Sequence, residues 1–371
     1  MTKTRLFKQL SAISFAAVLV AVLSGCSSGS IKTAMFRGDN QHTGVYQTEG
    51  VNELNQLKWK FKTEDSVNSS PVVMDNTAYV GSYDGYFYAV DSQTGQSKWK
   101  FKTQSKVGGS PIIVGKVVYI GSDDRNLYAL DKDTGQELWR FSTGGSIYSA
   151  PAYDQNTLYV TSTDNYLYAI NAESATEKWR FETGGAIYSS PAFHEGMLYF
   201  GSHDGYLYAV NAGTGQEQWR FKTNAAVYSS PAVKGDTVYV GSEDGNLYAV
   251  NIKTGQEKWN VSARAAISSS PAATDTHVFF GSQDGRLYAV DIASRQTVWK
   301  YKTYDWVSSS PVVNGKLVYF GSYDKYLYAV DIETGKLQWK FRTEGRIYST
   351  PTVDKGVIYF GSFDNHLYAV E

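Results

Sequence analysis

The sequence has 371 residues, of which 42% are hydrophobic and 19% are charged, and its formal net charge is −1. This balance is typical of a folded globular protein and argues against long disordered regions, and nothing in the charge indicates a nucleic-acid partner. Aromatic residues make up 15% of the chain, including 29 tyrosines, a composition that favours β structure.

The N-terminus has the pattern of a secretory signal. Three basic residues precede an apolar segment, 10–23, that is too short to span a membrane comfortably. Residues 23–26, Leu-Ser-Gly-Cys, then resemble a bacterial lipobox, which implies that the cysteine is lipidated and becomes the mature N-terminus. Cys26 is the only cysteine, so an intrachain disulfide is excluded. We expect residues 1–25 to be a lipoprotein signal peptide; the alternative is an ordinary signal peptide with an incidental cysteine.

The residue after the cysteine bears on localisation. It is Ser27, and in lipoproteins of bacteria with two membranes a residue other than Asp here directs the protein to the outer membrane. The resemblance therefore implies the periplasmic face of the outer membrane in such a host, and otherwise the outer face of the cell membrane. No later segment is apolar enough to be a transmembrane helix, so lipid is the expected membrane anchor.

A repeat of forty residues organises the remainder of the chain. All eight prolines are spaced by forty, from Pro71 to Pro351. Eight of the nine tryptophans have the same spacing, namely Trp59, Trp99, Trp139, Trp179, Trp219, Trp259, Trp299 and Trp339. Such a period is the signature of a repeat architecture, in which each unit packs on its neighbours.

One unit predicts four short strands. Residues 69–73, 78–82, 86–90 and 98–101 are rich in β-formers, and turn signals such as Asp84-Gly85 separate them. Four antiparallel strands in forty residues are typical of a propeller blade. The proline marks the innermost strand, because it cannot donate to a sheet ladder and favours an edge.

The two ends of the repeat region complete one blade. Residues 56–61 read as a fourth strand without the first three, and the C-terminal segment ends after a third strand. Pairing them closes the ring and removes two exposed edges. We therefore predict an all-β fold, an eight-bladed propeller of four-stranded antiparallel blades spanning 55–371 and closed by an N-terminal outer strand, with 26–54 as linker and lead-in.

The repeated motif resembles that of the pyrroloquinoline-quinone (PQQ)-type propellers. Its form is Ala-x-Asp/Asn-x-x-Thr-Gly-x-x-x-Trp, as in residues 89–99, and it departs from this pattern at Ser174-Ala175 and Ser294-Arg295. The resemblance implies that the tryptophans dock neighbouring blades. A structural role is expected for the repeated residues, since a single active site needs asymmetry that an eightfold repeat does not provide.

No catalytic or metal site is predicted. The five histidines lack metal-ligand spacing, and no phosphate-binding glycine loop is present. Many PQQ-type propellers are dehydrogenases that stack the quinone between a Trp and adjacent cysteines, with Ca²⁺ beside a catalytic Asp. This chain lacks a cysteine pair and carries no insertions between repeats, so we expect neither an enzyme nor bound PQQ.

Function is expected where the repeats differ. The variable positions precede each proline or surround each Asp-Gly hairpin, and propeller topology places both on the face around the channel mouth. Trp306 stands outside the docking pattern and is either a contact anchor or a residue folded onto its own blade. The tyrosines form either a one-sided ligand-binding arc or a filling of the mouth. The candidate binding face comprises Tyr148, Tyr188, Tyr228, Arg264, Tyr304, Trp306, Tyr323, Arg346 and Tyr348.

Three functions are compatible with these features. A lipobox followed by docking repeats resembles the BamB lipoproteins of the outer-membrane β-barrel assembly machinery, which implies a non-catalytic scaffold with protein partners. Residues 35–44 resemble the lead-in of generic PQQ-repeat proteins, which favours instead a stand-alone envelope propeller that binds a peptide, a glycan or a small ligand. A PQQ-dependent dehydrogenase is the third alternative.

Overall fold

In the computed structural model, which describes residues 31–371, each forty-residue repeat forms a four-stranded antiparallel sheet. Two of these sheets gain a fifth strand from the lead-in, Thr33–Ala34 in one and the parallel strand Val45–Tyr46 in the other. The signal peptide and the lipidation site expected at Cys26 lie outside these residues. Eight blades are present, as predicted, and within residues 31–371 the only helical element is the single turn Phe36–Gly38. In the part of the chain that is described, no helix is long and apolar enough to cross a membrane.

The first four blades have the following strands, from the channel outwards. Blade 1 contains Val72–Met74, Thr77–Gly81, Tyr86–Asp91 and Ser97–Lys102. Blade 2 contains Ile112–Val114, Val117–Gly121, Asn126–Asp131 and Glu137–Ser142. Blade 3 contains Ala152–Asp154, Thr157–Thr161, Tyr166–Asn171 and Glu177–Glu182. Blade 4 contains Ala192–His194, Met197–Gly201, Tyr206–Asn211 and Glu217–Lys222.

The other four blades repeat this arrangement. Blade 5 contains Ala232–Lys234, Thr237–Gly241, Asn246–Asn251 and Glu257–Ser262. Blade 6 contains Ala272–Ala273, His277–Ser282, Arg286–Asp291 and Gln296–Lys302. Blade 7 contains Val312–Asn314, Leu317–Gly321, Tyr326–Asp331 and Leu337–Arg342. Blade 8 contains Thr352–Asp354, Val357–Ser362, His366–Val370 and, as its outer strand, Leu57–Lys62.

The predicted ring closure is confirmed. The strand Leu57–Lys62 pairs antiparallel with the C-terminal strand, and Trp59 lies opposite Ala369. The salt bridge between Lys58 Nζ and Glu371 Oε2, at 2.6 Å, adds to this joint. The ends of the repeat region thus form one blade, and the ring has no open seam.

The hydrophobic core lies between blades. In the third strand of blade 1, Phe87 and Ala89 pack against blade 2, whereas Tyr88 and Val90 pack against blade 8. Successive side chains of a strand point to opposite faces, so a strand between two neighbours needs apolar residues at consecutive positions. This explains the apolar run of the third strands, which reads Leu or Phe, then Tyr, Ala, and Val, Leu or Ile.

Each repeated tryptophan joins two blades. Trp219 Nε1 donates to the carbonyl oxygen of Ile252 in the next blade at 3.0 Å, and its ring packs on the turn at Gly255. Gly255 has a φ of 68°, in the left-handed region that favours glycine, and an added Cβ would lie 2.7 Å from the indole. The same bond occurs at seven of the eight repeated tryptophans in the described residues; the exception is Trp259, which lines a pocket together with Arg295 of the next blade.

The lead-in contributes to the last of these contacts. Trp339 Nε1 donates to the carbonyl oxygen of Val51 at 2.9 Å, and the hydroxyl of Tyr319 donates to the same oxygen at 3.0 Å. In the other blades these donors reach a residue that follows the third strand of the next blade, such as Ser92 or Ala172. A residue of the lead-in therefore completes the docking site between blades 7 and 8.

We predict that Trp219→Ala lowers the free energy of unfolding by about 3 kcal/mol, near the low end for buried tryptophan truncations because this indole is only partly buried. The matched control is Trp306→Ala, which removes an indole that joins no blades and costs at most about 1 kcal/mol. Urea denaturation of both variants measures the difference. A loss below about 1 kcal/mol for Trp219→Ala would exclude the docking role.

Candidate binding surface at the channel mouth

The loops at the channel mouth are held by the hairpin aspartates. Asp324 Oδ2 accepts a hydrogen bond from the backbone N–H of Tyr304 at 3.0 Å and another from the hydroxyl of Tyr328 at 2.7 Å. Trp306 is fixed as well, since its carbonyl oxygen accepts the N–H of Tyr323 at 2.9 Å. The loop backbone is thus preorganised, and its side chains are presented in defined positions.

Exposed aromatic residues cluster on this face at blades 7 and 8. We call Tyr304, Trp306, Tyr323, Arg346 and Tyr348 the rim patch. Tyr304 is 88% exposed, Trp306 45% and Tyr348 39%. The Trp306 and Tyr323 rings stack with centroids 5.6 Å apart, and the Arg346 guanidinium lies over Tyr323 at 5.1 Å. Aromatic and arginine side chains in such an arrangement are typical of protein-binding hot spots.

Trp306 packs on its own blade and is also partly exposed. One face of the indole stacks on Tyr323 of its own blade, and almost half of the side chain remains exposed. Arg264 is exposed in the preceding loop, between blades 5 and 6. The positions selected from differences among the repeats therefore lie on one face, with Arg264 beside the rim patch.

The predicted arc of four tyrosines is not continuous. Tyr148, Tyr188 and Tyr228 are consecutive around the channel, with neighbouring ring centroids 5.4 and 5.0 Å apart. Tyr348 is separated from them, because the two intervening blades carry Ser268 and Ser308 at this position. The aromatic arc therefore consists of three tyrosines, and Tyr348 belongs to the rim patch.

A histidine reinforces the arc. The His203 ring lies 4.7 Å from Tyr188 and 4.0 Å from Tyr228, measured between centroids. Burial lowers the pKa of His203, so the imidazole is neutral near pH 7. Tyr148 donates its hydroxyl to Asp123 Oδ2 at 2.9 Å, and burial raises the pKa of that carboxyl.

Below the mouth, the channel contains a cavity of about 270 Å³ on the propeller axis. Two rings of residues line it. The upper ring has one residue from each blade, namely Asn68, Gly108, Tyr148, Tyr188, Tyr228, Ser268, Ser308 and Tyr348. The second, which we call the hydroxyl ring, lies two residues further along each inner strand and comprises Ser70, Ser110, Ser190, Ser230, Ser270, Ser310 and Thr350.

The lead-in closes the cavity from below. Phe36 lines the cavity floor, and the segment that follows it crosses the inner strands. Its carbonyl oxygens at residues 40, 41, 43 and 44 accept the backbone N–H groups of Phe193, Val233, Ala273 and Val313, with N–O distances of 2.7–2.9 Å. The lead-in thus satisfies inner-edge donors that a bare channel would leave unpaired.

Arg37 anchors this segment inside the channel. Its guanidinium donates to the carbonyl oxygens of His42, Pro271 and Pro311, and only 1% of the residue is exposed. Burial lowers the pKa of Arg37 to about 10, so it remains charged at neutral pH. The adjacent His42 packs edge-on against Phe36 at 5.4 Å.

Sequence reasoning missed the role of the lead-in, because two-residue strands and a single helical turn carry no periodic pattern. It also treated the serines before each proline only as inner-strand residues. A ring of identical residues can nevertheless serve one ligand when that ligand lies on the axis, where all blades converge. The recurrence of Ser-Ser-Pro was the available signal.

Two family models match the sequence of this chain. Residues 42–277 match the model described as the beta-propeller of the beta-alanine-activating enzyme, which is more than half of the chain. This chain belongs to that β-propeller family. Residues 283–371 match the model of the outer membrane protein assembly factor BamB. The protein is thus a PQQ-type β-propeller that resembles BamB.

Solved structures share this fold. BamB from Moraxella catarrhalis has a TM-score of 0.75 at 17% identity, covering 86% of this chain and 100% of its own. The computationally designed Ika8 protein has 0.76 at 19%, covering 85% and 99%. The quinohemoprotein alcohol dehydrogenase from Comamonas testosteroni has 0.79 at 15%, covering 91% and 80%. At these identities the likeness concerns the fold, and no curated protein matches the chain.

The buried His42 of the lead-in should make the stability of the fold depend on pH. Burial, together with the charge of Arg37, lowers the pKa of His42 from 6.5 to about 3. Between these values the unfolded chain binds one more proton than the folded chain. The stability contributed by His42 is therefore complete above pH 6.5 and falls by about 1.4 kcal/mol per pH unit as the pH decreases towards 3.

Urea denaturation of the wild type and of His42→Asn tests this dependence. Asparagine tolerates the left-handed backbone of residue 42, whose φ is 56°, and does not titrate. Between pH 6.5 and 5 the variant should lose about 2 kcal/mol less stability than the wild type. Identical pH slopes for the two proteins would contradict a buried neutral histidine.

Proposed function

We propose that this propeller is a non-catalytic, lipid-anchored scaffold that binds partner proteins through the rim patch and Arg264, as a BamB-like component of outer-membrane protein assembly. This proposal rests on one observation: exposed aromatic side chains are concentrated at one sector of the mouth, on loops whose backbone is fixed. Preorganised aromatic anchors lose little conformational entropy on binding. BamB supports the assignment by its description as an outer membrane protein assembly factor.

The lining of the axial cavity favours a scaffold over a quinone enzyme. One matching family model and one similar solved structure are named after enzymes, the beta-alanine-activating enzyme and the quinohemoprotein alcohol dehydrogenase. The lining of this cavity contains no tryptophan, no cysteine and no carboxylate, so its residues do not fit PQQ with Ca²⁺ as the dehydrogenase resemblance would require. Within residues 31–371, no three His, Cys, Asp or Glu side chains form a candidate metal site.

Affinity purification tests the proposed partners. The chain, purified from detergent-solubilised membranes of its host after mild crosslinking, should recover β-barrel assembly proteins. Trp306→Ala and Arg264→Ala should each reduce that recovery at least about tenfold, the loss typical of a hot-spot residue, with unchanged thermal stability.

The matched control is Leu138→Ala. Leu138 is 53% exposed on the outer strand of blade 2 and belongs to a different blade from the rim patch and Arg264, so its truncation tests for nonspecific loss of apolar surface. Recovery should be unaffected by this change. If the assembly proteins are absent from the wild-type sample, the BamB-like role is wrong; if neither mouth variant alters recovery, the rim patch is not the contact surface.

The anchor is tested separately at Cys26. We expect Cys26→Ala to abolish incorporation of labelled palmitate and to move the protein from the membrane fraction to the soluble fraction, because a lipobox cysteine carries the lipid. Serine substitution of the neighbouring residue, Gly25→Ser, preserves a small residue before the cysteine and should retain the label. Membrane association of Cys26→Ala equal to that of the wild type would contradict lipid anchoring.

A further inference from the structure

The hydroxyl ring carries hydrogen bonds between neighbouring blades at six of the eight blade-to-blade steps. The backbone N–H of Ser190 donates to Ser230 Oγ at 2.9 Å, and that of Ser230 donates to Ser270 Oγ at 3.0 Å. The same bond connects other neighbouring blades, with acceptor oxygens on Ser70, Ser110, Ser190 and Ser310. Six serine hydroxyls therefore act as acceptors in the fold.

These hydroxyls retain their protons for another partner. A serine hydroxyl has one donor proton in addition to its lone pairs. Within residues 31–371, none of the six donates to a protein acceptor. All six line the same cavity, and those of Ser70, Ser230 and Ser310 belong to residues that are 7% exposed. The cavity thus presents a circle of unused O–H donors.

The walls of the cavity are apolar on one side and polar on the other. Tyr148, Tyr188 and Tyr228 form the aromatic side, and Phe36 forms the floor. The opposite, more polar wall has serines and Asn68 on either side of Tyr348, and the Oδ1 of Asn68 is buried without a hydrogen-bond partner in the described chain. The lining therefore offers many donors, at least one free acceptor and flat aromatic surface.

The charge of the site restricts the ligand class. No charged side chain lines the cavity. Arg37 does not line the cavity; its Nε and Nη2 donate to backbone carbonyl oxygens, and its Nη1 is buried without a partner among residues 31–371. A charged ligand would lose hydration without a direct counter-charge, which disfavours it relative to a neutral ligand. The volume of about 270 Å³ lies just below that of pockets for drug-sized molecules and suits a single small ring.

We propose that the axial cavity binds one neutral polyhydroxylated six-membered ring, a pyranose or a cyclitol. Hydroxyls that radiate from such a ring match donors that surround it on all sides, and its C–H face packs against aromatic rings. The ring is either a free monosaccharide or the terminal residue of a glycan that enters through the mouth. This site shares Tyr348 with the rim patch but otherwise has its own lining residues, and it does not depend on a protein partner.

Isothermal titration calorimetry and saturation-transfer NMR on the purified full chain test the proposal. The probes are glucose, galactose, mannose, N-acetylglucosamine and myo-inositol, linear trisaccharides of the same sugars, and acetate and phosphate as anions. At least one neutral probe should bind with a dissociation constant of about 1 mM or tighter. Binding of a monosaccharide or inositol indicates a free ligand, and binding of trisaccharides alone indicates a glycan terminus.

Three variants connect binding to the cavity. Ser230→Ala combined with Ser270→Ala removes two ring donors and should weaken binding at least about tenfold. Ser229→Ala is the matched control, because its Oγ accepts the N–H of Gly241 at 3.1 Å and does not line the cavity. Ser268→Tyr gives blade 6 the residue that blades 3, 4 and 5 already carry, so it should fold normally while filling the cavity and abolishing binding.

The outcomes are decisive in both directions. Binding that is unchanged in Ser229→Ala, weakened in the double variant and lost in Ser268→Tyr supports the site; if the double variant does not fold, Ser268→Tyr alone decides. Failure of every neutral probe to bind, binding of acetate or phosphate only, or sugar binding that persists in Ser268→Tyr would overturn the proposal. Recovery of assembly proteins by the same Ser268→Tyr protein shows whether the partner surface is intact.

Discussion

The docking of each repeated indole against the next blade, with a hydrogen bond to a carbonyl oxygen at seven of the eight positions, is the contact on which the ring depends. It sets the distance between blades and brings the apolar faces of neighbouring third strands together. In the last blade-to-blade contact, the acceptor for the indole comes from outside the repeats. Val51 provides that acceptor for Trp339, so the lead-in is part of the fold and not only a connection to the membrane.

The position of the lead-in divides the channel into a closed end and an open end. Its carbonyl oxygens pair with inner-strand amides, and the Phe36 ring forms the floor of the axial cavity. Any ligand or partner that uses the channel must therefore approach from the mouth. There the eight blades present two kinds of surface: a rim where they differ, and an axis where repeated residues converge on one small volume.

Much of the fold was predictable because the repeat is strict. The spacing of the prolines and tryptophans, the Asp-Gly hairpins and the isolated strand around Trp59 together predicted eight blades and their closure. The lead-in was not predictable, since its short pairings join residues far apart in sequence and depend on the finished channel. Trp306 was identifiable by its departure from the period, but the separation of Tyr348 from the other tyrosines required the order of Ser268 and Ser308 around the ring to be considered.

Hydrogen exchange at the inner strands tests most directly whether the lead-in closes the channel. The amides of Phe193, Val233, Ala273 and Val313 donate to lead-in carbonyls. Measured by NMR or by mass spectrometry with fragmentation, they should exchange as slowly as the amides of the central strands, such as Tyr199 and Tyr239, because both sets require disruption of the folded ring. Rapid exchange at these four amides, with protection retained in the central strands, would contradict a closed channel and the account of the mouth that rests on it.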